Sequence, residues 1–159
     1  MTLSRPEREL HRKTAARCFN EAWTYLEKKH RTAADDRQML LLVHTSRFHW
    51  GLVGTPPSQA VGDWQISRAY AALDNPRLAL AYARSCLMLC REHDLSDLLG
   101  TAYEAMARAY ATADDRSAAR AYLRKARQQL ATSHLGREDA ALYRAQIEDT
   151  ERLIRGARR

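Results

Sequence analysis

The sequence predicts an all-α chain of about seven helices, set in antiparallel hairpins and closed by a single helix at the C-terminal end. Three observations predict it. Glycine and proline number only six and four in 159 residues while alanine is abundant, so breakers are few and helix formers many. Capping signals recur at helix-length intervals along the chain. A segment of twenty residues recurs at a constant offset of 40. The length suits one domain, residues 1–159, with enough chain to bury a sizeable core. Its expected parts are hairpins at about 5–53, 57–93 and 96–133 and a capping helix at about 137–155.

The first helix opens at Ser4-Arg5-Pro6-Glu7, which has capping-box spacing, and is expected to run to about Lys29. Thr32-Ala33-Ala34-Asp35 opens the second with the same pattern. Gly51, Gly54, Pro56 and Pro57 then end that helix and turn the chain, with Thr55 capping the third and Pro56 at its first position. Asn75 caps the fourth ahead of Pro76, and Asp114-Asp115 performs the same task forty residues later. Gly136 and Arg137 precede the last helix, which ends near Arg155. A lone terminal helix is what closing an open stack of helix pairs requires.

The repeat aligns Ser67–Cys86 with Ala107–Ala126, and nine of twenty positions are identical. Alanine bias inflates that number, but it does not produce the matches Arg68/Arg108, Tyr70/Tyr110, Asp74/Asp114, Tyr82/Tyr122 and Arg84/Arg124. Each unit reads as helix, tight turn, helix. These residues resemble the tetratricopeptide repeat. Ile66, Ser67, Tyr70, Asp74, Ala79, Ala83 and Cys86 fall on its large, small, aromatic, turn, small, packing and small positions. Met106, Ala107, Tyr110, Asp114, Ala119, Leu123 and Ala126 repeat the set. Three features depart from that pattern. Aspartate stands in both units where the family has its turn glycine, the family's usual proline after the second helix is missing, and the period is 40 rather than about 34. The resemblance implies a right-handed superhelix with a concave groove lined by the first helix of each unit. A segment like Val43–Trp64 before such a repeat also resembles a family of uncharacterised bacterial proteins, which implies no activity.

Composition narrows the function classes. The chain is 45% apolar and 28% charged, as in ordinary globular proteins. Its longest clean apolar run, Met39 to Val43, is far short of the roughly 20 residues that span a bilayer. The charged N-terminus is not a secretory signal, and three scattered cysteines suit a reducing cytoplasm. The net charge of +7 admits an acidic partner or nucleic acid, but no nucleic-acid-binding motif accompanies it. No nucleophile or phosphate-loop signature is present, no carboxylate lies in an apolar segment, and no cofactor is implied. Nothing therefore assigns a catalytic residue.

The densest segment in reactive side chains is Val43–Trp64. On a helix, His44 and His49 lie about 140° apart around the axis, which argues against one shared metal ion. Both flank the stripe Leu41, Thr45, Phe48, Leu52. The structural expectation is that they hydrogen-bond across a helix interface with Phe48 packed beneath. The functional one is that His44, His49 and Trp64 form a ligand-binding corner. Cys86, Cys90 and His93 fall within about 60° on one helical face, a weak metal-ligand candidate. Against it, Cys86 occupies a small packing position and no fourth ligand is evident. Arg116, Arg120, Arg124 and Arg127 form a basic stripe, either a solvated face or a surface for an acidic partner or nucleic acid.

Carrying the resemblance over residue by residue places Val61, Trp64, Arg68, Ala71 and Ala72 in the groove, with Thr101, Glu104, Arg108, Ala111 and Thr112 from the second unit. Arg68 and Arg108 are then expected side by side, gripping a carboxylate of an acidic peptide or chain terminus, or paired within the chain to Glu104. The expectation is a scaffold binding a protein or peptide, with self-association to bury the ends of a short array as a further possibility. The alternative is a regulatory protein that binds a small molecule or nucleic acid through the His44/His49/Trp64 corner or the basic face.

Overall fold

The computed structural model describes residues 2–156, and every regular element among them is a helix. There are seven: α1 (Arg5–Leu26), α2 (Ala33–Val53), α3 (Pro56–Ala72), α4 (Pro76–Glu92), α5 (Ser96–Thr112), α6 (Arg116–Thr132) and α7 (Arg137–Arg155). Among the described residues no helix is long and apolar enough to cross a membrane.

The caps follow the sequence closely. Ser4 with Glu7, and Thr32 with Asp35, form complete capping boxes on α1 and α2. Asn75 accepts from the Leu78 N–H and Asp115 from the Ala118 N–H, at 3.1 and 3.0 Å. Two details differ. α1 stops at Leu26, short of Lys29, and Lys28 instead reaches Asp35 of α2 at 2.6 Å. Thr55 precedes α3 without capping it, because its hydroxyl turns toward Ser58 Oγ at 3.4 Å.

From α3 to α6 the chain keeps a period of twenty residues. Each helix spans 17 residues, and each turn has an aspartate at its centre in the left-handed region, with φ of 54° at Asp74, 52° at Asp94 and 60° at Asp114. The same hydrogen bond closes all three turns. Asn75 N–H donates to Tyr70 O, Leu95 to Cys90 and Asp115 to Tyr110, at 2.9, 2.8 and 3.0 Å. This is the Schellman closure of a helix end. Aspartate is one of the few non-glycine residues that enter this region readily, which is why it can stand where glycine is usual.

Consecutive helices pack on one another throughout. In addition α3 packs on α5, and α5 on α7, while α1 meets α3 at a few points, among them Gln65 Nε2 donating to Phe19 O at 2.9 Å and the Trp23 ring against that of Trp64. Three buried clusters run along the stack: Met39, Val43 and Ile66 between α1, α2 and α3; Trp64, Leu87 and Met106 between α3, α4 and α5; Leu123, Ile147 and Ile154 beneath α7. The repeated tyrosines do the same work twice. Tyr70 stacks on Tyr82 at 5.9 Å between ring centroids, and Tyr110 on Tyr122 at 5.6 Å.

One expectation about α2 is overturned. Its buried face is Met39, Leu42, Val43 and Ser46, so the stripe through Leu41 and Phe48 points outward, and Phe48 is 63% exposed. The run Met39 to Val43 is apolar on every side, which left its inward face undetermined by periodicity alone.

Candidate functional site

Trp64 and Arg68 sit one turn apart on α3, and Glu104 and Arg108 stand at the equivalent places on α5. Because α3 and α5 are neighbours, the four side chains meet. The Trp64 indole N–H donates to Glu104 Oε2 at 2.9 Å, and Arg108 Nε donates to Glu104 Oε1 at 3.1 Å. From α7, Thr150 Oγ1 donates to Glu104 Oε1 at 2.5 Å. Asp149, the residue before it, accepts on one oxygen from Arg68 Nη2 at 2.9 Å and Arg108 Nη2 at 2.6 Å. The guanidinium of Arg68 also lies over the rings of Trp23 and Trp64, at 5.5 and 5.8 Å.

Two guanidinium groups thus balance two carboxylates, and the exposed Arg152 reaches the other oxygen of Asp149 at 3.5 Å. Burial pushes the Glu104 carboxyl up, but Arg108, Arg68 and the hydrogen bonds from Thr150 and Trp64 outweigh it and hold it below the usual carboxylate range. Asp149 is likewise held low, burial being outweighed by Arg108 and then Arg68. Neither carboxylate is therefore poised to carry a proton near neutral pH. One atom is left over: Arg68 Nη1 is buried without a hydrogen bond, 3.6 Å from Glu104 Oε1.

Beside this cluster a cleft opens between α1, α3, α5 and α7. Its volume is about 580 Å³, with Phe19, Trp23, Val61, Leu98, Leu142 and Tyr143 among its walls. A second hollow of about 620 Å³ adjoins it toward Trp50 and Pro57, and Phe19, Val61 and Leu98 border both.

The residues singled out from sequence divide among several places. Trp64 and Arg68 border the cleft, although Trp64 is only 4% exposed. Glu104 and Arg108 lie behind it and present little surface to a partner, Glu104 being 1% exposed. Ala71, Ala111 and Thr112 line a small separate hollow against Leu153 and Ile154. His44 contacts the Tyr70 hydroxyl at 3.0 Å from Nε2, while His49 meets His11 of α1, Nδ1 to Nδ1, at 2.6 Å. Burial lowers the pKa of His44; it also lowers that of His49, with His11 adding to it. The histidines and Trp64 therefore do not converge into one corner. Their hydrogen bonds reach three different helices, His49 to α1, His44 to α3 and Trp64 to α5.

Cys86 and Cys90 are buried neighbours on α4, and the hydrogen bond to Cys90, then burial, raises the Cys86 thiol pKa. His93 lies at the exposed helix end, and no group of three potential metal ligands forms among the described residues. Elsewhere, Arg120, Arg124, Arg127 and Arg155 surround a hollow of about 300 Å³ between α6 and α7, with Glu151 bonded to Arg127 and Arg155.

A second buried carboxylate escaped the sequence. Asp63 is 2% exposed, bonded to Arg47 Nε at 2.7 Å and to Ser85 Oγ at 2.5 Å. Gly62 permits this, since a Cβ there would stand 2.6 Å from Arg47 Cδ. The signal was local: a Gly-Asp pair directly before Trp64. No family model, curated protein or solved structure matches the chain.

Proposed function

We propose that this chain is a tetratricopeptide-like scaffold that binds a protein or peptide in the cleft between α1, α3, α5 and α7. In this reading α1–α2, α3–α4 and α5–α6 are successive hairpins of a right-handed superhelix, and α7 closes its end. The period of twenty, the paired tyrosine stacks and the contacts of α3 with α5 and α5 with α7 support the arrangement. The observation that carries the function is the cleft itself. Large apolar side chains wall it, and Leu142 stands in it 59% exposed, as a contact residue without a partner does.

Affinity capture from the native cell tests this, with Leu142→Glu as the control. Leu142 is exposed, so the variant keeps its fold while placing a charge inside the cleft. A chain retained by the wild type and lost from the variant supports the proposal. Equal capture by both sinks it.

A second reading rests on the basic side. Arg120 and Arg124 meet no carboxylate within ion-pair distance among the described residues, so an acidic partner or nucleic acid has two free guanidinium groups to engage there. Salt-dependent retention of DNA or RNA, abolished in Arg120→Ala/Arg124→Ala, distinguishes it from the first.

A further inference from the structure

The charges along the cleft run against those of the whole chain. The protein carries 26 lysines and arginines against 19 acids. Yet the two adjoining hollows are bordered by Glu27, Asp94, Asp97, Asp139 and Asp149, and by one base, Arg68. That arginine is already engaged, by Asp149 at 2.9 Å and Glu104 at 3.6 Å. Glu27, Asp94, Asp97 and Asp139 are exposed and meet no base of this chain within ion-pair distance among the described residues. A basic protein thus borders an apolar concavity with acids, four of them without an ion pair.

Resting on the scaffold reading above, we infer that the occupant of this cleft is a peptide segment in which large apolar side chains are flanked by lysine or arginine. The apolar residues fill the two hollows against Phe19, Val61, Leu98 and Leu142, and the cations reach the rim carboxylates. Two hollows sharing a wall offer separate places for two anchors on one chain. Trp50 adds an aromatic wall to the outer hollow, a favourable neighbour for a guanidinium or ammonium group. The acidic peptide expected from the pairing of Arg68 and Arg108 is not the occupant inferred here. Its carboxylate would have to displace Asp149 and enter past the rim acids.

Selection from a displayed library of random dodecapeptides against the immobilised full chain tests the inference. The net positive charge of the protein disfavours adhesion of basic peptides elsewhere, so the background works against the expected result. The expected outcome is enrichment of sequences with surplus Lys/Arg and at least one Leu, Phe, Trp or Met. For the resynthesised peptides, native tryptophan fluorescence should change on binding, since Trp23 and Trp50 border the hollows. Affinity should fall about two- to fivefold for each of Glu27→Gln and Asp139→Asn. It should fall further with added salt and with Leu142→Ala. Enrichment of acidic or neutral peptides whose binding is weakened by Leu142→Ala overturns the charge assignment and leaves the cleft as a peptide groove. Basic peptides whose affinity is indifferent to all three substitutions bind elsewhere, which overturns the inference. An empty selection overturns both the inference and the scaffold reading on which it rests.

Discussion

Arg68 and Arg108, forty residues apart in the chain, donate to the same oxygen, Oδ2 of Asp149. Like charges converge there because α3 and α5 carry the same arginine on the same face, and α7 brings the carboxylate that lets them do so. Glu104, at the same register as Trp64, holds the pair from behind. The last helix is therefore tied into the array by charge as well as by its apolar face of Ile147 and Ile154.

The network ranks its members by burial. Glu104→Gln keeps the shape but leaves two buried guanidinium groups with half their neutralising charge, and it should cost about 3 kcal/mol, the lower end for breaking a buried ion pair. Asp149→Asn removes the other carboxylate, but Asp149 is 41% exposed and water screens the loss, so about 1 kcal/mol is expected. Urea denaturation of the two variants checks the order. If Asp149→Asn proves the more damaging, α7 contributes through something other than burial of charge.

The turn aspartates make a contrary prediction. Asp114 holds φ at 60°, a conformation that costs an L-residue about 1–2 kcal/mol and glycine nothing. Part of that gain is returned as the added freedom of glycine in the unfolded chain. Asp114→Gly should therefore stabilise the protein by about 0.5 kcal/mol, seen as a higher denaturation midpoint at unchanged slope. Its ion pair with Arg116, at 3.7 Å and well exposed, offsets little of this. A loss of stability would show that the aspartate carboxylate contributes more to the turn than its backbone strain takes away.

Gly62 tests the buried Asp63. A methyl group at this position collides with Arg47 Cδ, and Arg47 cannot swing aside without releasing Asp63. Gly62→Ala should destabilise by about 1–3 kcal/mol, the usual cost of overpacking, despite the better helix propensity of alanine. Gly62→Ala in an Arg47→Ala background should cost less than in the wild type, because the clash has gone. Equal costs in both backgrounds would put the strain elsewhere.

How much of this was legible in the sequence depends on range. The caps at Ser4, Thr32, Asn75 and Asp115 were legible because capping is a contact over three residues. The repeat was legible because Tyr, Asp and Arg recur at matching positions, and those tyrosines do stack alike. Asp94 was missed: α4 and α5 present different faces, so the period of twenty survives only in the backbone and leaves one aspartate as its trace. Asp149 was missed because α7 lies outside the repeat, and nothing local marks a carboxylate that meets arginines 81 and 41 residues away. Phe48 was misplaced because the run Met39–Val43, apolar on every side, does not declare which side of α2 is covered.

The histidines set the response to acid. Burial lowers the pKa of His44, and burial together with His11 lowers that of His49, so the folded state favours their neutral forms. Their hydrogen bonds agree: the short contact of His11 Nδ1 with His49 Nδ1 needs one ring to donate and the other to accept, and fails when both are protonated. For a group whose folded pKa lies below its unfolded value of about 6.5, the unfolded chain binds the extra proton. The stabilisation is then complete above that value and is lost as pH falls through the lowered pKa. Denaturation midpoints should accordingly be flat from about pH 8 to 7 and decline between about pH 6.5 and 5, before the carboxylates titrate. His44→Gln/His49→Gln should flatten the decline in that window, and NMR titration of the wild type should place both rings below 6.5. A wild-type midpoint that does not move between pH 7 and 5 would show that neither histidine is held neutral by its neighbours.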